Sequence, residues 1–148
     1  MRHVWVLGAV LAAGVLVLAG CPVLATGVTV TGTLSAEYFD ITSDVTVTIT
    51  QGNESVSIGV PVVSGNYTQT GAFLVANVPT GTYAAEVTFE NSYGYAAGTQ
   101  YRLNGGQWLP VDNEVVTGDA APYTFTITID SLPISEDTTF DVYFGNVG

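Results

Sequence analysis

Cysteine, histidine and basic residues are almost missing from this sequence. Cys21 is its one cysteine, His3 its one histidine, and Arg2 and Arg102 are its only cations, with no lysine. Arg2 and His3 lie in an apolar leader, so everything after Cys21 has no imidazole, no further thiol and a single positive charge. Disulfide frameworks, Cys/His metal centres and nucleophilic catalysis by a Ser–His or Cys–His pair are therefore excluded from the body of the protein. Against Arg102 stand thirteen acids, all after Cys21, which leaves that body at −12. Such a balance repels phosphate backbones and has no basic stripe to release counterions, so nucleic acid is excluded as a partner and anionic headgroups are disfavoured. Only 10% of the chain is charged. Solubility thus rests on threonine and turn residues more than on a halophile-like coat of acids.

The N-terminus compensates for none of this; it carries an address. Met1, Arg2 and His3 form a short basic start, and residues 4–18 run without a charge through apolar or small side chains, the build of a secretory signal peptide. The run closes on Leu18-Ala19-Gly20-Cys21. That tetrapeptide resembles the lipobox of prokaryotic lipoprotein precursors, and the resemblance implies that Cys21 receives the lipid and becomes the first residue after cleavage. Small side chains at Ala19 and Gly20 let an extended backbone enter a peptidase, and acyl chains on the thiol hold the rest of the chain at a bilayer. The competing reading is an uncleaved helix over residues 4–25, close to the ~20 residues that span a bilayer. Pro22 argues against an unbroken helix there. Residues 1–20 are expected as signal, 21–26 as a linker and 27–148 as one domain of ordinary size. Both readings place that domain in the cell envelope, outside the cytoplasm.

Alternation with a period of two dominates the domain. Val45, Val47 and Ile49 alternate with Thr46, Thr48 and Thr50; Tyr83, Ala85, Val87 and Phe89 with Ala84, Glu86, Thr88 and Glu90. Tyr123, Phe125, Ile127 and Ile129 alternate with Thr124, Thr126, Thr128 and Asp130, and Phe140, Val142 and Phe144 come after them. These are half-buried strands, and no segment has a period of 3.6. Turn residues separate them at Gly52-Asn53, Ser64-Gly65-Asn66, Pro79-Thr80-Gly81, Asn104-Gly105-Gly106, Thr117-Gly118-Asp119 and Ser131-Leu132-Pro133. Short strands at this spacing predict an all-β fold, an antiparallel β-sandwich of Greek-key, transthyretin-like or immunoglobulin-like kind.

From Gly71 the chain reads Gly-Ala-Phe-Leu-Val-Ala-Asn-Val-Pro-Thr-Gly-Thr-Tyr. This resembles the carboxypeptidase regulatory-like, or transthyretin-like, β-sandwich family, whose domains carry such a hairpin, and the likeness extends over residues 28–89. It implies Phe73, Val75 and Tyr83 in the core, Pro79 and Gly81 in a turn, and an accessory role in binding or spacing with no activity. Residues 64–70 lack the family's acidic turn, and residues 91–122 have no counterpart in it.

Candidate ligand-binding residues cluster at Tyr93, Tyr95, Tyr101 and Trp108, around Asn104-Gly105. A two-residue type I′ turn there pairs Leu103 with Gly106 and Tyr101 with Trp108, with Arg102 and Gln107 facing the other way. The paired rings either lid the sandwich or offer a sugar a platform, with Asp112, Asn113 and Glu114 to bond its hydroxyls. Burial is the commoner fate of tryptophan. Asp40 with Asp44, Asp112 with Glu114, and Glu136 with Asp137 and Asp141 lack the spacing of a calcium loop, so no metal and no cofactor is expected. No acid pair is singled out for catalysis, and the domain is expected not to be an enzyme. Asn53-Glu54-Ser55 and Asn66-Tyr67-Thr68 fit the glycosylation sequon.

The expected function is a lipid-anchored, extracytoplasmic structural, adhesive or partner-binding module. Its partners would be the membrane through the anchor and an envelope polysaccharide or protein. A carbohydrate-binding module is the alternative, as is a filament or layer subunit that lends a free strand over residues 28–34 to a neighbour.

Overall fold

The computed structural model describes residues 6–10 and 15–19 by their backbone and residues 27–65, 67–95 and 98–145 in full. Cys21 and Asn66, the expected lipidation site and one sequon asparagine, lie outside the described residues. Among the described residues there is no helix; thirteen strands build two packed sheets.

The first sheet runs in the order β1 (Val6–Val10), β2 (Val15–Ala19), β7 (Thr68–Val78), β3 (Val28–Glu37), β13 (Thr138–Phe144), β9 (Gln100–Leu103) and β10 (Leu109–Pro110). β6 (Val63–Ser64) adds to β7. The second runs β11 (Asn113–Thr117), β12 (Tyr123–Ile134), β8 (Gly81–Asn91), β4 (Val45–Gln51) and β5 (Glu54–Val60). The β-sandwich expected from the alternation is therefore present, but it is not wholly antiparallel: β13 runs parallel to β3, and β2 to β7. Nor is β3 a free edge. It lies between β7 and β13, so residues 28–34 are interior and cannot complete a neighbour's sheet.

Alternation converts directly into a core. Val45, Val47, Ile49, Tyr83, Ala85, Val87, Phe89, Phe125, Ile127 and Ile129 of the second sheet face Leu34, Phe73, Val75, Phe140, Val142 and Phe144 of the first, all buried. Four phenylalanines lock the layers together: Phe89 stacks on Phe125 at 5.0 Å and meets Phe144 at 4.7 Å, with Phe39 against both Phe89 and Phe125. Within the first sheet β3 is hemmed in by its neighbours: a Cβ at Gly32 would overlap the Phe140 carbonyl oxygen of β13 and the Phe73 ring of β7.

Two local expectations change. Ser131-Leu132-Pro133 is no turn: β12 continues through it with a bulge between Ile129 and Leu132, after which Leu132 and Ile134 return to the core. One extra residue restores the inward face without ending the strand. Pro133 is tolerated because β11, the neighbour on that side, pairs only as far as Thr128. Pro79-Thr80-Gly81 does turn the chain, and Phe73, Val75 and Tyr83 are buried as the family resemblance implied. Yet β7 and β8 belong to different sheets, so this segment is a crossover and sets no hairpin register. The Tyr83 hydroxyl donates to the Pro79 carbonyl at 2.6 Å, bracing the corner from within.

Strand directions decide what lies where. The chain enters the domain at Val28, beside Val78 and the turn at 52–53, and β3 carries it over ten residues, about 30 Å, to Glu37. Residues 38–44, 61–65, 67, 92–95 and 118–122 gather at that far end, tied by the Ile41–Asn91 bridge.

Candidate functional site

The far end collects the exposed apolar side chains. Seven large ones are exposed among the described residues, and five of them stand at this end: Tyr38, Tyr67, Tyr93 and Tyr95 in its loops and Val63 in the short β6. Tyr38 is 67% and Tyr67 78% exposed, their rings 5.9 Å apart; Tyr93 and Tyr95 make a second pair at 6.2 Å.

Tyr38 and Tyr67 hold positive φ values of 58° and 62°, the left-handed region that costs a side chain with a Cβ about 1 kcal/mol. The Tyr38 amide donates to the Tyr67 carbonyl, so each loop props the other. Beneath them two buried amides hold the loops still. The Gln69 side chain accepts from the Ile41 amide and donates to the Ile41 carbonyl, acting as a short strand partner. Asn91, 1% exposed, accepts from the Asp40 amide and donates to the Tyr93 carbonyl. Ser92 closes the set with its hydroxyl on the Asp40 carboxylate. Rings on loops so pinned lose little freedom when something docks on them.

A second aromatic group lies on the outer face of the first sheet. Asn104 and Gly105 both have positive φ and Gly106 N–H donates to the Leu103 carbonyl, so the expected I′-like turn forms. The register beyond it differs from expectation: Tyr101 pairs with Leu109, not Trp108. A slip of one residue reverses faces. Tyr101 packs on the core against Phe140, while Trp108 goes outward, where the Arg102 guanidinium lies 4.7 Å from its ring centroid and Tyr143 6.0 Å away. Arg102 and Trp108 thus share a side instead of opposing each other. The four expected aromatics do not form one cluster: Tyr93 and Tyr95 are at the far end, Trp108 on the sheet face, and Tyr101 half-buried against the core.

Arg102 is fixed from below. Its Nε donates to Asp141 at 2.9 Å, and the other Asp141 oxygen takes the Thr33 amide and hydroxyl. Tyr143 lies between this face and the far end, its hydroxyl close enough to the Glu37 carboxylate for that charge to add to burial in raising its pKa. Tyr38, Tyr67 and Tyr143 were not singled out by sequence. Tyr143 leaves one signal, an aromatic at an outward position between Val142 and Phe144, whereas Tyr38 and Tyr67 lie in loops where periodicity is silent.

Asp112, Asn113 and Glu114 line an open groove of about 430 Å³ with Thr99 and Gln100, at the edge where the two sheets part. Two of its acids serve the fold. Asp112 accepts the Asp130 amide, and Glu114 accepts both the amide and the hydroxyl of Thr99. Of the other expected acid clusters, Asp137 accepts the Thr29 amide and Asp141 is spent on Thr33 and Arg102. Among the described residues no three of His, Cys, Asp and Glu stand together as a metal site.

Burial pushes the hydroxyls of Tyr83, Tyr101 and Tyr143 above the ordinary tyrosine pKa of 10.0, with smaller contributions from Glu54, Asp112 and Glu37 respectively. The unfolded chain therefore releases these protons first as pH rises past about 10, and folding stability is lost above that point while remaining intact below it. Urea midpoints are expected to be level from pH 7 to 9 and to fall between 10 and 11. A midpoint still level at pH 11 would show that the three hydroxyls ionise in the fold as freely as outside it.

No family model, curated protein or solved structure matches this chain. Its function is therefore read from the tyrosine-bearing end and the Trp108 face. Among the described residues no helix is long and apolar enough to cross a membrane.

Proposed function

We propose that this protein is a lipid-anchored module of the cell envelope, exported, processed at Cys21, and used to bind a partner without catalysis. The observation that carries the reading is the placement of five exposed apolar side chains at one end of the sandwich, opposite the end where the chain enters it. A domain tethered just before Val28 would hold that end about 30 Å outward, facing whatever approaches the membrane. The signal-like leader, the lipobox at Leu18-Ala19-Gly20-Cys21 and the likeness of residues 71–83 to accessory β-sandwiches support the same reading. Processing at Cys21 would remove β1 and β2, whose backbone joins the first sheet only along β7.

Fractionation tests the anchor. Expressed in a bacterial host with lipoprotein processing, the chain is expected to sediment with membranes through high-salt washes and to need detergent for release. Cys21→Ser is expected to leave it unlipidated and at its precursor size. Release of the wild-type chain by salt alone sinks the anchor.

Glycan binding is a second reading, favoured by the Trp108 ring, which Arg102 and Tyr143 steady on an outer face rich in hydroxyls from Thr31, Thr33 and Ser35. An indole beside fixed hydrogen-bonding groups suits the apolar face of a sugar ring.

A further inference from the structure

We infer that the tyrosine-bearing end takes a cationic stretch of a partner protein, a lysine- or arginine-bearing chain, through cation–π contacts backed by carboxylates. This rests on the proposed binding role and names the chemistry of the partner.

Every charged side chain described at that end is acidic: Glu37 closes β3, Asp40 and Asp44 lie in the next loop, Glu90 precedes the end of β8, and Asp119 is in the turn after β11. The one cation of the domain, Arg102, is committed elsewhere, to Asp141 and Trp108. Nothing of opposite charge competes for these carboxylates from within the domain. Beside them stand the two ring pairs, Tyr38 with Tyr67 and Tyr93 with Tyr95, tilted at 40° and 32°. A ring face carries a negative quadrupole, which draws an ammonium or guanidinium group and does nothing for an anion. Glu37 directly precedes Tyr38, and Asp40 is bonded to Ser92, next to Tyr93. Each pair thus has an acid beside it, the arrangement that steers a positive chain in and then holds its heads. A neutral sugar would use the rings but gain nothing from the acids. An anionic partner would be repelled by both.

The fold itself has little use for the rings. Tyr38 and Tyr67 are mostly exposed yet occupy backbone conformations that glycine or asparagine would take at less cost. Pinned by Gln69 and Asn91, they form a prepared surface.

The test uses the full chain in detergent and a fluorescent peptide with four arginines spaced by glycine and serine. Its control is the same peptide with glutamine in place of arginine. The arginine peptide is expected to bind and the glutamine peptide not. Tyr38→Ser with Tyr67→Ser should weaken binding about tenfold, the loss expected for two exposed cation–π contacts. Glu86→Gln, on the outer face of β8 and away from this end, should change it less than twofold. Equal binding by the double variant and the wild type, at an unchanged unfolding temperature, overturns the inference, because attraction would then be net charge alone. Should a neutral glucan bind instead and be lost in the double variant, the binding role stands and the cationic partner falls. Failure of both probes counts against each.

Discussion

Phe89→Ala is expected to cost about 3–5 kcal/mol, the range for emptying a fully packed aromatic site. Phe89 is 2% exposed and its ring is the hub of the phenylalanine cluster, stacked on Phe125 of its own sheet and touching Phe144 of the other and Phe39 of the loop between them. Alanine would leave these three rings without their common neighbour, and backbones held in ladders on both sides cannot close the gap. Since whole domains are stable by only about 5–15 kcal/mol, the variant should sit near the edge of folding. Its unfolding temperature should drop by roughly 10–20 °C, whereas Phe89→Leu should cost under about 2 kcal/mol. Urea melts with an unchanged slope would check it. A loss below about 1 kcal/mol for the alanine variant would mean that the sheets do not close on this ring.

The second large effect concerns the one ion pair among the described residues. The Asp141 side chain is only 6% exposed and Arg102 36%, so removing the arginine leaves a nearly buried carboxylate with Thr33 as its remaining partner. Arg102→Gln is expected to cost about 2–3 kcal/mol, below the figure for a wholly buried pair because water reaches the guanidinium side. Adding Asp141→Asn should recover part of that loss, since the stranded charge is then gone. A double-mutant cycle reads the difference, and strict additivity would show that the two groups contribute independently. The same pair fixes the ring of Trp108, so these variants also report on whether the outer face keeps its shape.

Much of the fold was legible because alternation is a local property. Val45, Val47 and Ile49, or Phe125, Ile127 and Ile129, state which face they bury without reference to any neighbour, and each of them is in the core. Turn chemistry was legible at Gly52-Asn53 and Asn104-Gly105, where positive φ is required and the residues that accept it are present. Misreadings arose where one residue shifted a register. Ser131-Leu132-Pro133 has the composition of a turn, but a bulge spends one residue and lets Leu132 and Ile134 resume burial. The hairpin after Asn104 slips by one, which sends Trp108 outward to Arg102 and leaves Tyr101 to Phe140.

The sequence by itself determined that the domain is all-β and acidic, and that its chemistry must do without histidine, thiol or a second cation. Composition and period two are carried by each segment alone, so no knowledge of neighbours is needed to read them. Only the tertiary structure decided that β3 is interior, that β7 and β8 belong to different sheets, and that Tyr38, Tyr67, Tyr93 and Tyr95 share one end. Strand order and the meeting of loops depend on contacts between residues far apart in the chain, such as Ile41 with Gln69 and Asp40 with Asn91. No local pattern encodes a partner 28 or 51 positions away.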